Sequence, residues 1–314
     1  MEARRILIAC LPRLQLSRVD DSLNSAARKL LASRLDLPDI PILQRVAKDD
    51  SHGGCLLWCW GANKVLRATT IRHGIKENLI HAWDLLETCK EINGIPGKWH
   101  PRPAWEFESH FWTLLDWLPG ESWNPWQHFS GTLFEKANHL LGLIRKSSTE
   151  LLGSSFGSLP CVKRRRELSA SLPVLLGRFK VEREPPEIMI RLGVCLESRM
   201  SEFNRVAMKL PETGPLIVVH GDSRPSNFIL GPSGELGLTD FNNCRLDHPG
   251  SDLARLISGL PVAPKCDALA VDLARTNRWG SMVQWLARWL ETRCLGEKIE
   301  NRLNELIKLD WLDK

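Results

Sequence analysis

Two stretches decide how this chain reads: His220-Gly221-Asp222-Ser223-Arg224-Pro225-Ser226-Asn227, and, a dozen residues on, Leu238-Thr239-Asp240-Phe241-Asn242. Between them Phe228-Ile229-Leu230 and Leu236-Gly237-Leu238-Thr239 flank Gly231-Pro232-Ser233-Gly234-Glu235, two short apolar runs around a tip rich in turn formers. Gly, Pro and Ser at such a tip predict a hairpin. Folding about it brings Asn227 and Asp240 to the same mouth. An amide oxygen and a carboxylate there form a hard-oxygen donor set, suited to Mg²⁺, which typically takes only one or two protein carboxylates.

Phosphoryl transfer from a nucleotide needs a carboxylate that orients the attacking hydroxyl and accepts its proton, and oxygen ligands for the magnesium that bridges the phosphates. Asp222 is a candidate for the first task, and Asn227 with Asp240 for the second. Each residue taken singly also suits a structural place: Asp222 a turn after the apolar strand Leu216 to Val219, Asn227 an Asx-turn, Asp240 a strand-end cap. Their joint spacing, followed by Asp252-Leu253-Ala254-Arg255-Leu256, favours a site over three unrelated turns.

Working outward, residues Asp21 to Leu35 carry Leu23, Ala26, Ala27, Leu30, Leu31 and Leu35 near a period of 3.6, a leading amphipathic helix. Three extended segments follow, Ile42 to Ala47, Cys55 to Trp60 and Lys64 to Thr70, separated by turn chemistry and expected to form an antiparallel meander. A second helix is expected from about Ile75 to Ile92, ending at Asn93-Gly94-Ile95-Pro96. A Pro- and Trp-rich connection leads to a strand over Phe111 to Leu118, closed by Pro119-Gly120. From there the pattern is mainly helical, as in Leu133 to Arg145 and Ile188 to Leu210, with a looser segment around Gly153 to Pro160. Beyond Asp252 it is helical again. The expected class is α+β, with an N-lobe over residues 1–118 that combines a small antiparallel sheet with helices, and a larger, mainly helical C-lobe over 119–314.

Composition narrows the function classes. With 43% apolar and 25% charged residues the chain is neither disordered nor membrane-spanning, since no run approaches the roughly 18 to 20 apolar residues a span needs. The opening Met1 to Arg5 precedes too few apolar residues for a secretory signal, so a cytoplasmic location is expected. Nine cysteines, an odd count, with Cys55 and Cys59 the closest pair, argue against a zinc or disulfide framework. A net charge of +5 spread along the chain is no nucleic-acid stripe, and its densest run, Lys163 to Arg166, reads as a solvated helix face. No Walker A motif is present.

The words His220-Gly221-Asp222 to Asn227, Asp240-Phe241 and Asp252-Leu253-Ala254 resemble, in order, the catalytic loop, metal-binding Asp and loop-bracing Asp of the aminoglycoside phosphotransferase and choline kinase superfamily. Leu114-Leu115-Asp116-Trp117-Leu118-Pro119-Gly120 resembles its hinge. The resemblance runs over roughly residues 40 to 260. It implies a two-lobed protein-kinase-like fold and an ATP-dependent, Mg²⁺-requiring transfer of phosphate to the hydroxyl of a small molecule; charge and hydropathy add the expectation of no nucleic-acid or membrane partner. By that likeness Asp222 is the base, Asn227 and Asp240 hold Mg²⁺, Asp116 and Leu118 meet adenine through backbone groups, and His220 and Asp252 support the loop.

One departure stands out. The family usually places a Lys on the third strand, and the matching position in Lys64-Val65-Leu66-Arg67-Ala68 is Arg67, with Lys64 on the opposite strand face. Arg grips phosphate differently from Lys. This leaves open a second reading, a catalytically impaired nucleotide-binding module acting through partners. The carboxylate expected to pair with Arg67 is Glu77, with Glu87 its rival. A kinase acting on proteins is disfavoured, because only a dozen residues separate Asp240 from Asp252. The acceptor is expected to be a hydroxylated metabolite rather than a polycation, as Pro261 to Lys314 holds eight acidic and nine basic residues and so no acidic excess.

Overall fold

The computed structural model describes residues 120–152 and 156–308 and, before them, 16–17, 45–46, 56–60, 64–70, 99–107 and 110–116, with Ser25, Lys29, Ala82, Asp84, Leu85, Glu87 and Ile95. In chain order the strands are β1 (Leu16–Ser17), β2 (Arg45–Val46), β3 (Leu56–Trp60), β4 (Lys64–Thr70), β5 (Trp99–Phe107), β6 (His110–Asp116), β7 (Glu121–Ser122), β8 (Phe156–Ser158), β9 (Thr213–Pro215), β10 (Ile217–Val219), β11 (Phe228–Leu230), β12 (Leu236–Leu238) and β13 (Arg245–Asp247). The helices are α1 (Pro125–His128), α2 (Gly131–Leu152), α3 (Pro160–Lys180), α4 (Glu187–Lys209), α5 (Ser251–Ile257), α6 (Ala268–Thr292) and α7 (Glu297–Ile307). None of the described helices is long and apolar enough to cross a membrane. The chain divides into two compact units, Met1–Trp123 with Ser226–Arg245, and Asn124–Pro225 with Leu246–Lys314.

In the first unit an antiparallel sheet has the order β3-β4-β6-β5. Arg67 lies at its centre, in register with Leu57 on one side and Thr113 on the other. Two expectations change here. The segment around Arg45 and Val46 pairs with β1, where a single three-stranded meander with β3 was expected. The Pro- and Trp-rich connection forms a nine-residue strand, β5. Pro101 and Pro103 are tolerated because β5 is the sheet's edge and its register shifts between Trp99 and Ala104, so missing N–H donors break few ladder bonds. Ala82, Asp84, Leu85 and Glu87 are helical, with Ala82 and Leu85 buried and Asp84 and Glu87 exposed, as an amphipathic helix requires.

The expected hairpin forms as β11–β12, with Phe228 opposite Leu238 and Leu230 opposite Leu236. It belongs to the first unit because β7 adds a third strand, Ile229 facing Ser122, and the Trp123 amide donates to the Phe228 carbonyl at 2.7 Å. The Trp123 and Phe228 rings meet edge-on, 6.2 Å apart. Gly120 makes the approach possible: a Cβ there would sit 2.2 Å from the Leu230 carbonyl oxygen.

The second unit is a helical body around a short, wholly buried strand, β10. Ser148 of α2 docks on that strand, its hydroxyl donating to the Val218 carbonyl at 2.6 Å. Pro160 starts α3 at the first turn, where its missing N–H has no helical partner to lose. β8 and β9 pair in front of α3 and behind α4, adding strand to a segment expected to be irregular. α6 supplies the apolar spine: Trp279 packs on Phe203 of α4 at 5.6 Å and Trp289 on Phe179 of α3 at 5.8 Å. Burying such a side chain contributes about 1.5–3 kcal/mol. Arg278 is also buried and donates from Nε to the Leu306 carbonyl at 2.6 Å, satisfying the last turn of α7.

The basic run on α3 is not a uniformly solvated face. Lys163 and Arg164 are exposed, but Arg165 is buried and bonded to Asn277, and Arg166 donates to the carbonyls of Ala207, Met208 and Leu210. The guanidinium reaches these atoms along its apolar stem, which charge patterning cannot foresee.

Candidate active site

In the second unit β10 runs directly into the loop that begins at His220. Asp252, at the start of α5, organises that loop. Its Oδ2 accepts the His220 amide at 2.7 Å and its Oδ1 accepts the Gly221 amide at 2.9 Å. Ser223 donates its hydroxyl to the Asp252 carbonyl at 2.7 Å, with Oδ1 at 3.1 Å. Two buried groups, the His220 amide and the Ser223 hydroxyl, and the half-buried Gly221 amide thus converge on the buried Asp252 carboxylate, the arrangement that makes an interior charge tolerable. His220 is fully buried, and its Nδ1 accepts the Asp222 amide at 3.3 Å.

Gly221 adopts φ 81°, in the left-handed region. A Cβ there costs about 1–2 kcal/mol. Gly221→Ala is therefore expected to lower stability by about that amount and to displace the Asp222 carboxylate; a urea midpoint and a turnover measurement on the same preparation check both.

Asp222 is buried, but its carboxylate is engaged. Arg224 grips it with Nε at 2.9 and 3.0 Å from Oδ1 and Oδ2 and a terminal nitrogen at 2.6 Å from Oδ2. Arg255, from α5, adds two longer contacts of 3.4 Å to Oδ1. Burial lowers the pKa of the Arg255 guanidinium from its ordinary value, the Asp222 carboxylate works against that, and the Arg224 charge adds to it. Neither arginine was singled out from the sequence. Both lie inside the words quoted above, but which side chains face Asp222 depends on a turn and a helix from different parts of the chain.

In the first unit the hairpin closes as its pattern predicts. Thr239 donates to the Asn227 carbonyl from its amide at 2.9 Å and its hydroxyl at 3.1 Å, placing Asn227 and Asp240 at one end of β11–β12. Asn227 is buried. Asp240 has φ 68° and ψ 53°, a left-handed conformation uncommon outside glycine though better tolerated by Asp and Asn. A backbone held there stores about 1–3 kcal/mol, and such positions cluster at functional sites.

Of the other expected site residues, Arg67 sits mid-strand in β4 and Asp116 ends β6 opposite Lys64. Glu87 is helical and exposed, whereas Glu77 and Leu118 lie outside the described residues. Among the described residues no cluster of three or more His, Cys, Asp or Glu forms a metal cage, and a site of one amide and one carboxylate is not of that kind.

No curated protein matches the sequence. Several solved structures match its fold. Spectinomycin phosphotransferase, in complex with ADP and spectinomycin, is 11% identical with a TM-score of 0.58, over 91% of this chain and 93% of its own. An aminoglycoside phosphotransferase from Alicyclobacillus acidocaldarius is 10% identical with a TM-score of 0.58, over 96% of both chains. The GDP complex of aminoglycoside 2'-phosphotransferase-IIIa is 12% identical with a TM-score of 0.53, over 92% of this chain and 99% of its own. At these identities the likeness establishes the fold, the protein-kinase-like α+β one. The sequence match is more specific: residues 94–304 fit the phosphotransferase enzyme family, and the chain belongs to that family.

Proposed function

We propose that this chain transfers the γ-phosphoryl group of ATP to a hydroxyl of a small molecule. Asp222 takes the proton of the attacking hydroxyl; the acceptor oxygen bonds to phosphorus as the bond to the β-phosphate oxygen breaks, and ADP leaves. The observations that carry this reading are, in the second unit, the buried Asp222 carboxylate on a loop braced by Asp252 and, in the first unit, Asn227 and Asp240 at one end of the β11–β12 hairpin. Asn227 and Asp240 would hold Mg²⁺, which when bound neutralises charge on the phosphate oxygens. Their chemistry fits that ion: both donors are oxygens, one is anionic, and the strained Asp240 backbone is of the kind that persists where a side chain must be aimed. Arg67, with Glu77 as partner, is assigned to the nucleotide phosphates, and backbone groups of Asp116 and Leu118 to the base. The ADP and GDP complexes among the structural relatives support a nucleotide donor.

Mg²⁺ is expected to strengthen ATP binding by the wild type, and Asp240→Ala to remove that strengthening. Calorimetric titration with and without Mg²⁺ decides it. Equal affinity in both conditions for the wild type would overturn the metal assignment.

A further inference from the structure

The carboxylate assigned as general base is not presented to solvent bare. The Asp222 side chain is 9% exposed, whereas Arg224 and Arg255, both bonded to it, are 48% and 35% exposed. Two guanidinium groups thus meet one carboxylate, with Arg224 the most exposed member of the cluster. The next acid along the loop brace, Asp252, is already occupied by the His220 and Gly221 amides and the Ser223 hydroxyl. Arg302, which also bears on Arg255, is bonded to Glu305 at 2.7 Å. A molecule that reaches Asp222 therefore meets these two guanidinium groups together with the carboxylate, and Arg224 already holds both carboxylate oxygens.

We infer that the phosphate acceptor is an anion, a hydroxyl compound that also bears a carboxylate or phosphate group, and that Arg224 and Arg255 bind this acid group. The acid competes with Asp222 for the Arg224 guanidinium, so the substrate that fits the pair also releases the base. A cationic or neutral acceptor offers no such exchange and leaves Asp222 clamped. Planar guanidinium groups suit this role because they hold carboxylate and phosphate through paired N–H donors. The inference rests on Asp222 being the base. It narrows the acceptor to one charge class.

The test measures ADP release with ATP and Mg²⁺ across hydroxylated metabolites that include matched pairs, glycerate with glycerol and ribose 5-phosphate with ribose, and the cations choline and kanamycin. The wild type is expected to favour acid-bearing acceptors by roughly ten-fold or more in kcat/KM, the scale of one or two charge-assisted hydrogen bonds. Arg224→Gln should erase most of that preference through the acceptor KM while the KM for ATP stays put, and Arg224→Lys should restore part of it. A wild-type preference for neutral or cationic acceptors would overturn the inference, as would an Arg224→Gln effect confined to ATP, which would give the guanidinium to the nucleotide. Turnover of no acceptor at all would instead remove the phosphotransfer reading beneath it. Thermal melts of both variants exclude misfolding, and the wild-type charge preference decides the inference without either variant.

Discussion

Asp222→Asn is expected to lower kcat by about 10²–10⁴-fold, the usual contribution of a positioned general base, while leaving the protein folded. The amide keeps the size of the side chain and one oxygen for Arg224, so the loop retains its packing. It lacks the charge and the second oxygen that would accept the hydroxyl proton. Because Arg224 is about half exposed, losing its ion pair with Asp222 contributes at most about 1 kcal/mol to stability. The effect should thus fall on turnover, with ATP affinity much less changed. ATP consumption by wild type and variant across the same acceptors is the measurement, and unaltered turnover would remove Asp222 from the chemistry.

The largest stability effect is expected at Asp252. Asp252→Ala leaves the buried His220 amide and the half-buried Gly221 amide without their carboxylate acceptor, while the Ser223 hydroxyl keeps its bond to the main-chain carbonyl of residue 252. Each buried donor so orphaned costs about 1–3 kcal/mol, and a loss of about 3–5 kcal/mol overall is expected. Activity should fall with it, since Asp222 stands on the turn these bonds hold. Urea unfolding monitored by tryptophan fluorescence gives the difference. A midpoint within error of wild type would show that the loop stands without its brace. Asp252→Asn separates geometry from charge: it keeps one carbonyl acceptor and should retain part of the lost stability.

The elements legible in the sequence are those whose residues interact with near neighbours in the chain. The hairpin over Phe228 to Thr239 could be read because two short apolar runs flank a Gly-Pro-Ser-Gly tip, and the two strands observed to pair are those runs. The strands Leu56–Trp60 and Lys64–Thr70 were legible for the same reason, being joined by three turn residues. Strand β5 was not. Its two prolines mark a break in any local reading, and only its place at the sheet edge makes them harmless. Arg278 likewise has no signature: a cation in the middle of a helix normally faces water, and its partners are the final carbonyls of a helix about thirty residues later.

From sequence alone came the family resemblance, the α+β class, the hairpin that unites Asn227 with Asp240, and the candidacy of Asp222, because motif spacing and residue chemistry are local properties. Tertiary structure alone decided that β7 draws this hairpin into the first unit, that Asp252 receives three donors from one turn, and that Arg224 and Arg255 close on Asp222. Those contacts join segments dozens of residues apart or depend on where one loop's side chains turn, and burial selects them only after the chain has closed.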